Sequence, residues 1–375
     1  MTKKKVAYIT LLDQYHPGIY DSQVIDVCRY LNDNFEVDIQ LIAFLSIKEL
    51  RRSDAKKIIK SKYSNALVLP AFPKLRYFKL TQFLLALYLL FNPKQALICR
   101  NVFATQIGLF CRKLGLVKSV VFDGRSALAA EIKEYDVFPV PYFRKHIAQW
   151  EKTAVIETDF RIAVSGALID YWKDSYLYDS ENHIVMPCTL ASNIDWQANN
   201  LNDNEHIKVI YAGSNAPWQG FEEISSFLRL HPHIACTLLT KHSETTAAMQ
   251  QEFGARLSIN WVSMKAIPNL MSRHDYGLLL RPNSVTNQVA SPGKFAEYLM
   301  CGLKVIITEK LGDYSSFVEK KQCGLVWDRL HPISLENTSF DERAANIALA
   351  KQYFTKDSVI NHGAYQKLIQ FIDNS

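Results

Sequence analysis

Ser291–Thr308 reads SPGKFAEYLMCGLKVIIT, and the fold can be read outward from it. Ser291 is a good N-cap and Pro292 suits the first helical position, so a helix is expected to start sharply here. Gly302 supplies the left-handed stop, and Lys304–Thr308 then reads as a buried strand. Lys294 and Glu297 are three apart and share one face of the first two turns. A helix N-terminus presents free N–H groups and the positive end of its dipole, which together suit a phosphate. Lys294 adds a full charge beside it, and Glu297, one turn on, can accept two hydrogen bonds from a ribose diol. The stretch outlines a nucleotide-diphosphate site.

The same strand–helix alternation runs through the chain. Strands are expected at 5–12, 38–44, 66–69, 95–99, 119–122, 161–164 and 183–186, then at 207–212, 235–240, 257–261, 276–281, 304–308 and 324–327. Helices separate them, among them 21–32 (capped by Asp21 or Ser22), a basic helix 47–60 and an apolar helix 80–91. Alternation with crossover helices implies α/β architecture with parallel, doubly wound sheets. Asn193–His206 is polar, Asn-rich and without periodicity, and reads as a linker between two Rossmann-like halves facing a cleft. No G-x-G and no Walker A sequence occurs, so nicotinamide-type and P-loop readings lose their support.

The chain's 375 residues suffice for two domains, and 48% apolar with 21% charged residues is a globular composition. The seven cysteines are scattered without a CxxC pair and read as reduced core residues of a cytoplasmic protein. The N-terminal apolar run, Val6–Leu12, ends at Asp13 without a cleavage site and reads as a first strand rather than a signal peptide. Phe83–Phe91 is far too short to cross a membrane. Charge is uneven: residues 51–120 hold fourteen Lys/Arg against one acid, Asp54. Tyr63, Phe72, Tyr77, Phe78, Phe83, Tyr88 and Phe91 lie between them. A basic, aromatic surface of this kind fits anionic lipid, hence a peripheral position on the inner membrane. No nucleic-acid module accompanies it, so nucleic acid is not an expected partner.

In open parallel sheets ligands bind beyond the carboxyl ends of the strands. In the second half those ends carry Gly213-Ser214-Asn215, Lys241, Ser263 and Arg281. One glycine that admits a close approach, cations and a helix N-terminus make a diphosphate cradle. The ten histidines show no metal-ligand spacing, so neither a metal nor a resident cofactor is expected.

YAGSNAPWQGFEEI (211–224) followed by RPNSVTNQVASPGKFAEYLMCGLKVIIT (281–308) resembles the donor domain of GT-B fold glycosyltransferases, particularly glycosyltransferase family 4. The likeness is clearest over 205–330 and extends loosely to VVFDGRSALAAE (120–131) and FRIAVSGAL (160–168). It implies that Glu297 holds the donor ribose, that Lys294 lies near the diphosphate, and that the Gly213–Gly220 loop wraps the phosphates. Ser214 and Gln219 stand where the family usually has Arg and Lys, which passes the neutralising role to Lys241, Arg281 and Lys294. Val289 stands where the family's upstream acid would touch the donor sugar. The donor set expected is Gly213, Ser214, Asn215, Gln219, Lys241, Arg281, Ser291, Pro292, Gly293, Lys294 and Glu297.

By the same resemblance the first domain (1–195) takes the acceptor, the second (205–343) the donor, and a C-terminal helix (344–375) crosses back to the first. Asp123 ends a strand where the family places a polar residue near the anomeric carbon; it and Lys294 are the catalytic candidates. His16, Gly18, Arg100 and Arg125 are the acceptor-side candidates. The implied reaction is retaining, metal-independent transfer from a nucleotide sugar to a saccharide or polyprenyl-diphosphate-linked saccharide in surface-polysaccharide synthesis. The alternatives are a GT-B-like scaffold without catalysis, a sugar-nucleotide epimerase and a polyol-phosphate transferase.

Overall fold

The computed structural model describes residues 3–52, 54–72, 75–137, 140–191 and 207–375, and these divide into two compact units. The first comprises residues 1–187 and 359–375, the second 188–358. The Asn193–His206 linker lies outside the described residues.

The first unit holds a seven-stranded sheet of β1 (Lys4–Leu11), β2 (Val37–Leu45), β3 (Ala66–Pro70), β4 (Ala96–Arg100), β5 (Ser119–Gly124), β6 (Phe160–Ala163) and β7 (His183–Val185), in the order β3-β2-β1-β4-β5-β6-β7. Every pairing is parallel. Helices cover both faces, so the central strands are continuous apolar runs such as ALIC (96–99) rather than alternating ones. The Ala364–Asn374 helix belongs to this unit: Tyr365, Leu368, Ile369 and Ile372 join the core of β1 and β2. Burial of this kind contributes about 1.5–3 kcal/mol per large side chain. An earlier helix, Phe340–Tyr353, packs in the second unit on the Gly293–Met300 helix.

The second unit holds a six-stranded parallel sheet of β8 (Lys208–Ala212), β9 (Ala235–Leu239), β10 (Leu257–Asn260), β11 (Tyr276–Leu279), β12 (Lys304–Thr308) and β13 (Gly324–Trp327), in the order β10-β9-β8-β11-β12-β13. Both sheets are doubly wound, as the alternation predicts.

Two early elements differ: the expected basic helix 47–60 is divided into Ile47–Arg52 and Ala55–Lys62. The expected helix 21–32, capped by Asp21 or Ser22, instead begins at Pro17, passes through a π-helical turn at Asp21–Ile25 and continues as Asp26–Asn34. Pro17 pre-sets the first helical φ, and the Ser22 hydroxyl bonds back to the Gly18 carbonyl at 2.7 Å inside the helix instead of capping it. Gly18 is thus helical, and His16 is the exposed N-cap.

Candidate functional site

In the second sheet the chain winds outward from β8 in one direction and from β11 in the other, so the loops leaving these neighbours diverge and open a crevice. The strands pair only at Tyr276↔Val209 and Gly277↔Ile210. Beyond that the Tyr298 hydroxyl enters the opened ladder, accepting from the Ala212 N–H at 3.1 Å and donating to the Leu278 carbonyl at 3.3 Å. The ring reaches there because residue 277 is glycine: a Cβ would lie 2.3 Å from the Tyr298 ring. Tyr298 therefore fixes the Gly293–Met300 helix to the switch point of the sheet.

Ser291 does not cap that helix, contrary to its N-cap expectation. The cap position is Pro292, and the Ser291 hydroxyl accepts from the Cys188 N–H at 2.8 Å and shares a 2.6 Å hydrogen bond with the Tyr314 hydroxyl. These partners tie the approach to the helix onto two other segments, so its hydroxyl serves docking. The Phe295 N–H bonds back to the Pro292 carbonyl at 3.0 Å, and the nearest atom a Cβ at Gly293 would meet is 4.0 Å away.

Lys294, in that first turn, reaches back over the loop after β8. Its ammonium donates to Gln219 Oε1 at 2.7 Å and sits 4.1 Å from the centroid of the Tyr211 ring. Gly213 lies directly against it, and a Cβ there would fall 2.5 Å from Nζ. Gln219 Oε1 also accepts from Arg281 Nη2 and from the Tyr211 hydroxyl, both at 3.3 Å. Arg281 is buried; its Nη1 donates to Asn287 Oδ1 at 3.2 Å, and Arg329 donates to its carbonyl at 3.0 Å. One neutral carbonyl oxygen thus holds two cations together where the family resemblance expects a third.

This crowding shifts the site's titrations. Burial and the nearby Arg281 hold the Lys294 amine well below the usual lysine range, with Glu297 acting in the opposite sense. Burial raises the Glu297 carboxyl, and Lys294 opposes that rise. The Gln219 carbonyl and the Tyr211 face both favour the ammonium form and keep it where an incoming anion would need it.

The remaining donor-side candidates sit around this cluster. Ser214 and Asn215 are exposed at the tip of the loop after β8, and the Tyr211 hydroxyl holds the Ser214 carbonyl. Lys241, just after β9, is exposed and lies 5.1 Å from the centroid of Trp261, whose ring is 60% exposed. Val289 is buried. Sequence reasoning missed Tyr211, Tyr298, Asn287 and Arg329. Tyr298 carried a signal, since it follows Lys294 by one helical turn; the others became visible only once β8 and β11 were neighbours.

The first unit has its own switch point, between β1 and β4. Asp123, at the end of β5, is buried and accepts a hydrogen bond from the Tyr8 hydroxyl. Arg125 lies 3.3 Å and Arg100 3.8 Å from its carboxylate. Arg100 is 3.7 Å from Asp13 as well, and Arg125 donates to Gln23 at 2.9 Å. Burial, reinforced by Asp123, raises the Tyr8 phenol far above its usual range, so it stays a donor. Asp123 does not cap the following helix; it holds two arginines at the end of the sheet. His16 is exposed, and Gly18 lies in the first helical turn.

No family model matches the chain, and no curated protein matches it in sequence. Solved structures do match along the whole length. Sucrose-phosphate synthase from Thermosynechococcus elongatus is 12% identical over 100% of both chains, with a TM-score of 0.70. The lipopolysaccharide outer core galactosyltransferase WaaB is 12% identical over 99% of each, also at 0.70. Anabaena HepE, solved in complex with UDP, is 13% identical over 99% of this chain and 100% of its own, at 0.68. At such identities the likeness speaks for architecture: this chain has the two-domain, Rossmann-like GT-B fold that these glycosyltransferases share.

Proposed function

We propose that the chain is a glycosyltransferase that takes a nucleotide-diphosphate sugar at the β8/β11 switch point and passes the sugar to a saccharide or lipid-diphosphate-linked saccharide. The observation that carries this is Lys294, set in the first turn of a helix, lodged against Gly213 and Tyr211 and tethered to Gln219. Cleaving a glycosyl–diphosphate bond leaves charge on the departing oxygens. A pre-positioned ammonium and a helix N-terminus stabilise that charge without moving. Glu297, three residues on, accepts from the ribose hydroxyls, and Arg281 strengthens the field from behind Gln219. Lys241 and Trp261 are set to flank the donor at the neighbouring strand ends.

In the first unit, Asp123 acts as a positioning residue for Arg100 and Arg125, which meet an anionic or hydroxyl-rich acceptor. The resemblance to glycosyltransferase family 4 favours retention at the anomeric carbon, independence of metal and a place in surface-polysaccharide synthesis. HepE, solved with UDP bound, supports a nucleoside-diphosphate donor. The test is to incubate the protein with each common nucleotide sugar and a lipid-linked saccharide fraction. Appearance of free nucleotide diphosphate together with a glycosylated product, lost in Lys294→Met, supports the reading. Free nucleotide with an isomerised sugar and no product would replace it with an epimerase.

A further inference from the structure

A small cavity in the first unit is walled by residues of β1, β4, β5 and β6, of the Asp21–Asn34 helical segment and of the returning Ala364–Asn374 helix. Its volume is about 10 Å³, room for a single water. Most of the lining is apolar, but Tyr8, Gln23, Asp123, Arg125 and Tyr365 bring polar groups to it. Four of these five are already joined. The Tyr8 hydroxyl donates to Asp123, Arg125 Nη1 lies 3.3 Å from the same carboxylate, and Arg125 Nη2 donates to Gln23 Oε1 at 2.9 Å. Gln23 comes from the π-helical turn Asp21–Ile25, a rare element that recurs at functional sites. Tyr365 is the fifth. It is fully buried, its ring packs against Tyr30 and Phe35, and its hydroxyl has no hydrogen-bond partner among the described residues. Burial raises its phenol, and Arg125 and Asp123 act on it in opposite senses, so the hydroxyl keeps its proton and feels both.

Size and charge together decide what the cavity takes. Asp13 and Asp123 balance Arg100 and Arg125 at this end of the sheet, which leaves no net charge for an ion to neutralise. Buried hydroxyls are almost always paired, with protein or with ordered water. A water is neutral, fits the volume and both accepts and donates, so it can accept from Tyr365 or Arg125 and donate to Asp123 or Gln23. We propose that the cavity binds one water joining the Tyr365 hydroxyl to the Asp123–Arg125 pair, and that Tyr365 is through it a positioning residue for the Arg125 guanidinium. The C-terminal helix then holds the acceptor-side cluster from behind as well as covering the core. Its bearing on acceptor binding rests on the function proposed above; the water and the placement of Arg125 do not.

The test needs no turnover: a crystal structure of the full chain that shows ordered water, with side-chain nitrogen NMR of the parent and of Tyr365→Phe. The structure is expected to hold one water within hydrogen-bond distance of the Tyr365 hydroxyl and of Asp123, Arg125 or Gln23. The Arg125 Nε–H signal, assigned by its loss in Arg125→Lys, is expected to exchange with solvent about tenfold faster in Tyr365→Phe, the worth of one hydrogen bond. The variant keeps the ring and its packing on Tyr30 and Phe35, so a role in packing alone would leave that exchange unchanged. A cavity without water in the parent would overturn the proposal whether or not the variant folds. A water present together with an Arg125 signal that exchanges equally in parent and variant would overturn the positioning role. Either failure would leave the donor-site reading intact, since that reading is tested by nucleotide binding in the second unit.

Discussion

At the residue scale the account turns on Lys294, an amine that the fold makes reluctant to carry its proton and that the proposed ligand would oblige to keep it. Burial and Arg281 lower its pKa in the free protein, while a bound diphosphate beside it would raise the value in the complex. Above the range in which the diphosphate itself titrates, affinity is expected to be full at low pH. It should fall as pH rises through the free-protein pKa of Lys294 and level off above that of the complex. In that falling window binding takes up a proton, so calorimetric enthalpies should change with the ionisation enthalpy of the buffer; buffer-independent heats across it would contradict this. Lys294→Met should cost about 1.5–3 kcal/mol of diphosphate affinity, the usual worth of a charged hydrogen bond. A different carboxyl serves stability. Glu151 is fully buried, accepts from the Ala129 N–H at 2.6 Å and is pushed up to about 8 from an ordinary 4.5, by burial and then by Glu131. The folded state therefore holds this proton longer than the unfolded chain. Its stabilising effect is complete below the unfolded pKa and is lost as pH rises through the folded one. Glu151→Gln should remove that slope, on the order of a few kcal/mol, which unfolding midpoints at several pH values would reveal. Lys294 and Glu297 were legible as a pair from helix spacing alone. That Asp123 is buried between a tyrosine and two arginines was not, because its partners come from β1, β4 and the loop beyond β5.

At the scale of elements, the Gly293–Met300 helix owes its place to one hydroxyl and one missing side chain. Tyr298→Phe leaves the Ala212 N–H and Leu278 carbonyl unmet inside the sheet, and denaturant unfolding should show a loss of about 1–3 kcal/mol. The loop after β8 is held by Gly220, at φ 76° with an added Cβ falling 2.1 Å from the Leu280 carbonyl oxygen. Gly220→Ala is therefore expected to cost about 3 kcal/mol and to weaken diphosphate binding as well, because Gln219 precedes it. A stability loss of a few tenths would mean the loop is looser than its contacts indicate. All thirteen strands among the described residues were legible within a residue or two at their ends, the central ones because burial on both faces makes them apolar runs. Helix starts were less so. Pro17 moved one start forward, and Ser291 found better partners in Cys188 and Tyr314 than in its own helix, since capping is a local preference that tertiary hydrogen bonds override.

At the scale of the molecule, two doubly wound sheets each put charge at their switch points: Lys294 and Arg281 in one unit, Arg100 and Arg125 around Asp123 in the other. Strand alternation made the architecture legible, but switch points depend on strand order, which periodicity does not encode. The boundaries between units follow contacts rather than composition, so Val359–Ser375 returns to the first unit and Phe340–Tyr353 stays in the second. The measurement that tests the central claim most directly is calorimetric titration of the protein and its Glu297→Ala variant with UDP, GDP, ADP and CDP. The account predicts selective binding of one nucleotide, weakened at least about tenfold in the variant through loss of the ribose hydrogen bonds. Absence of binding by all four, or an affinity unchanged in the variant, would contradict it.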